Sequence, residues 1–227
     1  KSTFTLRGFG DAAAGPAAPS WCEGLIRSAM VRNALSYAGA QPSTDLYYEA
    51  VMPHDRRAFQ EQYGVAFGYG GASSCGMYVI AEWDRMGLVD ARINGPYEPK
   101  VSLAISNVLN VGRDYGAYIP YNVNGPQPKP GDVMYYSGAP VGGFEHVGIL
   151  VSRDPDGTTW HTVDGGQPGV EERTRHMLPN GTFSADGREL TAYVDIGRLP
   201  FPCPTGLLAG TIAAVAAGAV VGMFGAA

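Results

Sequence analysis

The sequence predicts an α+β fold in which N-terminal helices pack on an antiparallel sheet, followed by an apolar C-terminal tail. Three observations predict it. Up to about residue 115, apolar residues recur at spacings of three and four; beyond residue 130, short apolar-rich runs are separated by turn signals such as Arg153-Asp154-Pro155-Asp156-Gly157. Helices first and strands afterwards is the order of an α+β domain. From Thr205 onward the chain carries no charged residue, so it is a different material from the domain before it. The expected division is a flexible entry at 1–20, a folded domain at 21–204 and an apolar Gly/Ala-rich tail at 205–227.

Residues 1–20 are rich in Ala, Gly and Pro and hold no apolar run long enough for a secretory core. The segment reads as flexible, and both a removed leader and a leaderless export route stay open. Residues 21–37 place Leu25, Ile26, Met30, Val31, Ala34 and Leu35 on one face, with Ser20 as N-cap and Gly39 beyond the end. A second helical stretch covers 43–62 with a break at Pro53; His54, among Asp55, Arg56 and Arg57, reads as a solvated histidine. Residues 101–115 form a third amphipathic helix, and the proline-rich 122–130 is a loop. Strands follow at 132–136, 145–152, 158–164, 170–177 and 191–196, with further hairpin signals at Asn180-Gly181 and Asp186-Gly187.

In a chain of 227 residues, 45% hydrophobic content with 11% aromatics suffices for a substantial core. The net charge of −5 and a pI near 5.3 give no basic surface, which excludes nucleic acid as the expected partner. Four scattered histidines and three distant cysteines lack zinc-ligand spacing.

The chemistry concentrates around Gly68-Tyr69-Gly70-Gly71-Ala72-Ser73-Ser74-Cys75-Gly76. Small residues deliver Cys75 to the start of a helix that Gly87 ends, and the amides and dipole at a helix N-terminus favour a thiolate. A buried, inert thiol is the competing reading of Cys75. His146 opens the strand 145–152, where it could act as general base or sit as a satisfied strand-end histidine. On that strand His146, Gly148 and Leu150 share one face, and Gly148 is expected to let the Cys75 helix approach closely. The next strand offers His161 and Asp164, which point to opposite faces, so only one can orient His146. A carboxylate would also stabilise an imidazolium beside a thiolate, which favours Asp164 over His161. His176, between Arg175 and Met177 and near Arg173, reads as solvated.

The Gly-rich approach to Cys75, the run Pro130-Gly131-Asp132-Val133-Met134-Tyr135-Tyr136, and His146-Val147-Gly148-Ile149 together resemble the papain-like NlpC and CHAP superfamily of cell-wall cysteine peptidases and amidases. The resemblance covers roughly residues 60–200. It is to the superfamily rather than to one branch, since Ser74-Cys75-Gly76-Met77 stands where NlpC members usually have Asp-Cys-Ser-Gly. It implies a papain-like domain that cuts an amide bond of peptidoglycan, with Cys75 as nucleophile, His146 as base and no metal or organic cofactor. For the third residue, NlpC-like members point to His161 and CHAP-like members to Asp164. Tyr69 would line the substrate cleft. Such an enzyme would be secreted or delivered to the periplasm or cell wall, as an antibacterial effector or phage-type lysin, and a toxin of this kind implies a neutralising immunity protein. A papain-like acyltransferase acting on lipid or protein is the alternative within the same fold.

The stretch 206–227 has the length of a bilayer span, with small residues at Gly206, Gly210, Ala214, Gly218 and Gly222. Membrane association or helix assembly through this tail competes with a buried helix or a disordered tail. Cys22 and Cys203 flank the domain, and in an oxidising compartment a disulfide between them would pin its two ends together.

Overall fold

The computed structural model describes residues 20–41, 44–51, 74–90, 104–137, 145–166, 169–180, 182–183 and 188–203. Residues 1–19 of the expected entry segment, His54, Tyr69, the expected turn at Asp186-Gly187 and the tail expected from 205 lie outside the described residues. Among the described residues four helices come first: α1 (Ser20–Ser36), α2 (Asp45–Val51), α3 (Ser74–Arg85) and α4 (Ala104–Asp114). Six strands follow: β1 (Tyr118–Pro120), β2 (Val133–Ser137), β3 (His146–Arg153), β4 (Thr159–Gly166), β5 (Gly169–His176) and β6 (Glu189–Val194), with a 3-10 helix at Ile196–Arg198. The strands form one sheet in the order β1-β6-β2-β3-β4-β5, every neighbouring pair antiparallel. The expected α+β class is therefore the observed one. The expected helix 101–115 is present as Ala104–Asp114, residues 101–103 lying outside the described residues, and the edge strand β1 was not legible because Pro120 ends its three-residue run.

Alternation along the strands divides the core in two. Val133, Tyr135, Val147, Ile149, Val163, Ala192 and Val194 face the helices and pack with Ile26, Met30, Tyr78, Ile80 and Trp83. Met134, Tyr136, Leu150, Trp160, Leu190 and Tyr193 face the other way and are closed over by Met177 and Phe183. Burial of each such large side chain is worth about 1.5–3 kcal/mol. The helix α3 lies against β3 and β4 on the first face and is flanked by α2 and α4. The Tyr78 hydroxyl donates to Ala34 O at 3.1 Å, which fixes α3 against α1.

The run Pro130-Gly131-Asp132 is a structural latch. Asp132, 1% exposed, accepts from the Arg27 guanidinium at 2.6 Å and from the amides of Lys129 and Ile196 at 2.7 and 3.1 Å. Arg27 also binds Glu23 at 2.8 Å, Pro130 O at 3.1 Å and the Asp195 carboxylate. Gly131 has φ +93°, and a Cβ there would meet Ile196 at 2.7 Å, so only glycine lets this turn close on the 3-10 helix. Burial pushes the Asp132 carboxyl up to about 6 against the pull of Arg27.

Cys22 and Cys203 form a disulfide across a sequence separation of 181, with Cα atoms 5.7 Å apart. The bond joins the first turn of α1 to the chain just past the 3-10 helix. Among the described residues no helix is long and apolar enough to cross a membrane.

Candidate active site

Cys75 is the second residue of α3, where the first amides have no intrahelical partner and the dipole is positive. It is 5% exposed and is the free cysteine of the chain. The sequence places it there because Met77, Tyr78, Val79, Ile80, Ala81 and Trp83, all buried, hold α3 against the sheet and its neighbouring helices.

His146 opens β3, and its ring is the partner of the Cys75 side chain in a hydrogen bond. The Nε2 atom lies 2.9 Å from Asp164 Oδ2. Since Nε2 is committed to the carboxylate, Nδ1 is the ring nitrogen that remains for the thiol. The ring also stacks on Tyr136 of β2, centroids 5.9 Å apart and planes at 19°; the two residues are register partners.

Of the two candidates on β4, Asp164 is the one the structure brings to His146. The register sets Ile149 opposite Val163, which brings Gly148 beside Asp164 on the face His146 uses. A Cβ on Gly148 would stand 2.9 Å from the Asp164 carboxyl carbon and closer still to Oδ1. The glycine therefore makes room for the carboxylate, not for the Cys75 helix as the sequence suggested. His161 lies on the opposite parity and turns to Asp154 and Thr174, at 3.2 and 3.3 Å. It does not join the site. His176 is exposed, with Thr159 Oγ1 at 3.2 Å from its Nδ1.

The electrostatics follow from this packing. Burial disfavours the charged ring of His146, but the Asp164 charge and the hydrogen bonds to Asp164 and Cys75 outweigh it and raise the imidazole from 6.5 to about 9. For Asp164, burial alone would raise the carboxyl; the His146 charge and hydrogen bond and the Arg175 charge overcome it and hold the group well below the usual carboxylate range. At neutral pH the site holds an imidazolium between a carboxylate and the Cys75 sulfur, a charge arrangement that favours the thiolate.

Sequence reasoning missed Arg175, which it named only as a neighbour of the solvated His176. The residue is 3% exposed. Its Nη2 binds Asp164 Oδ2 and its Nε donates to Thr162 Oγ1 at 3.4 Å. Its guanidinium carbon lies 4.7 Å from the Tyr136 ring centre and 5.6 Å from that of Phe183. A carboxylate expected to be buried calls for a nearby cation, and that demand was the available signal. Among the described residues no group of three His, Cys, Asp or Glu side chains is placed to hold a metal ion. Comparison with protein families, with curated proteins and with solved structures finds no match to this chain.

Proposed function

We propose that the protein is a papain-like cysteine hydrolase of the NlpC and CHAP type that cleaves an amide bond in the peptide of bacterial peptidoglycan. The observation that carries this reading is the single imidazole of His146, bonded to Asp164 through Nε2 and hydrogen-bonded to Cys75 at the start of α3. In the resting ion pair the Cys75 proton already sits on His146, and the thiolate attacks the amide carbonyl, forming the C–S bond as the carbonyl π pair moves to oxygen. The Cys75 backbone amide, in the first turn of α3, donates to that oxyanion. Collapse expels the amine, which takes the proton from His146. Water then attacks the thioester with His146 as base, releasing the carboxylic acid and restoring the thiolate–imidazolium pair.

Peptidoglycan as substrate rests on the resemblance carried by the three motifs, and the Cys22–Cys203 disulfide agrees with work in an oxidising compartment such as the periplasm or outside the cell. An immunity protein and a membrane contact through 206–227 belong to the same proposal. The test is digestion of purified peptidoglycan by the wild type and by Cys75→Ala, with products identified by mass spectrometry. Thiol-dependent release of muropeptides supports the reading and names the bond. A wall left intact across neutral pH, with Cys75 reduced, rejects the substrate.

A further inference from the structure

We propose that Arg175 is a positioning residue of the site, a fourth member that acts on Cys75 and His146 through Asp164. The inference rests on the cysteine-hydrolase reading above, but not on the identity of the substrate.

The geometry is that of a clamp. Asp164 Oδ2 accepts from both His146 Nε2 and Arg175 Nη2, so one oxygen carries the base on one side and a guanidinium on the other. Arg175 is itself held from three directions. Its Nε binds Thr162 two residues before Asp164 on the same strand, and its guanidinium carbon lies over the rings of Tyr136 and Phe183. Tyr136 also stacks on the His146 ring. One aromatic side chain thus spaces the base from the cation while Asp164 joins them. An exposed ion pair would contribute little, whereas a guanidinium this deeply buried acts on its neighbours through a low dielectric.

Charge counting gives Arg175 a role that packing alone does not. The groups facing His146 are Cys75 from α3, Asp164 from β4 and Tyr136 from β2. Arg175 and Arg173 of β5 stand behind the carboxylate, Arg173 at 4.0 Å and 44% exposed. Glu145, next to His146 in the chain, turns to the Tyr135 hydroxyl at 2.6 Å. With Arg175 in place, the thiolate, imidazolium, carboxylate and guanidinium sum to zero. Without it the buried set carries a net negative charge, and every proton in it is held more tightly. The thiolate then forms only at higher pH.

The experiment follows iodoacetamide alkylation of Cys75 against pH in the wild type, Arg175→Gln and Arg175→Lys, with circular dichroism as the check on folding. Arg175→Gln should move the acid limb of the profile up by about one pH unit, the effect of one buried charge at an effective dielectric near 20. Arg175→Lys keeps the charge but loses the fork. It should leave the acid limb within a few tenths of a unit of the wild type and slow alkylation several-fold at neutral pH. An Arg175→Gln profile that overlies the wild type overturns the proposal, as does a lysine variant that shifts the limb as far as glutamine does. If Arg175→Gln does not fold, the lysine variant decides alone: alkylation at the wild-type rate overturns the clamp. The assay needs no cell-wall substrate, so rejection of peptidoglycan leaves it readable. A wild-type Cys75 no more reactive than a free cysteine at neutral pH rejects the nucleophile reading, and the role of Arg175 falls with it.

Discussion

The Asp164 carboxylate occupies the space directly over the α-carbon of Gly148, on the neighbouring strand, where any other residue would place its Cβ. The contact explains why the strand carrying the base has a glycine two residues after it. Gly148→Ala should push the carboxylate away from His146 Nε2 and lower turnover by roughly 100-fold or more, since small displacements of catalytic groups carry that cost. Overpacking should reduce stability by about 1–3 kcal/mol. Circular dichroism and a urea titration separate the two effects. A folded alanine variant with wild-type turnover would show that Asp164 can keep its bond by another route.

The raised imidazole of His146 makes a prediction in pH. Its folded value lies above the unfolded one, from 6.5 to about 9, so the stabilisation is complete below 6.5 and is lost as pH rises through about 9. The full effect corresponds to roughly 3 kcal/mol. Asp164→Asn removes the charge responsible, so urea midpoints of the variant should lose the decline that the wild type shows across this window. The alkaline limb of activity should move down toward 6.5 in the same variant. Parallel decline in both proteins would assign the titration to another group.

How far the sequence could reach is clear from particular residues. The helices α1, α3 and α4 and the strands β2 to β6 were legible because their apolar residues face one core and repeat at helical or strand periods. Cys75 and His146 were legible because each begins an element. The sequence favoured Asp164 over His161 on charge, but which of the two faces His146 is set by register, which composition does not carry: His161 stands opposite Ser152 while Gly148 meets Asp164. Arg175 was hidden for a related reason. It lies on the last strand of the sheet, where a run of charged residues normally faces water. The bridge between Met177 and Phe183 folds the chain back, and Phe183 covers the face that Arg175 shares with Asp164.

Glu82 titrates in the same sense as His146 but at lower pH and for a different reason, since here the charged form is the disfavoured one. It is fully buried on α3, its Oε1 is 2.6 Å from Arg85 Nη1, and its Oε2 has no partner among the described residues. Burial pushes the carboxyl up from 4.5 to about 7 against the pull of Arg85. A carboxyl raised in the folded state costs stability when it ionises, so the penalty grows from pH 4.5 to about 7 and stays constant above. Glu82→Gln should match the wild type below 4.5 and exceed it above 7, by roughly 3 kcal/mol at most. Urea titrations at the two ends of this range check the sign. A glutamine variant that is weaker than the wild type above 7 would mean that the charged bond to Arg85 outweighs desolvation.

The disulfide sets the last prediction, because of where it lies. Cys22 is fully buried in the first turn of α1, and Cys203 follows the 3-10 helix whose Asp195 and Ile196 already contact Arg27 and Asp132. The bond therefore reinforces a joint that the Arg27 network also holds, at the opposite end of α1 from Ala34, where α3 is anchored. Closing a chain of separation 181 removes enough unfolded-state freedom for up to about 5 kcal/mol, and engineered removals commonly cost about 2–5 kcal/mol. The double variant Cys22→Ala, Cys203→Ala should lower the urea midpoint within that range, and a reductant should lower the wild type by a similar amount while leaving the variant unchanged. Intact mass with and without reductant reports the bond itself. The alkylation profile of Cys75 should survive both treatments as long as the protein stays folded, because the Arg27 ion pairs still hold α1 to the sheet. Loss of Cys75 reactivity in a folded double variant would show instead that the covalent link transmits its constraint along α1 to the start of α3.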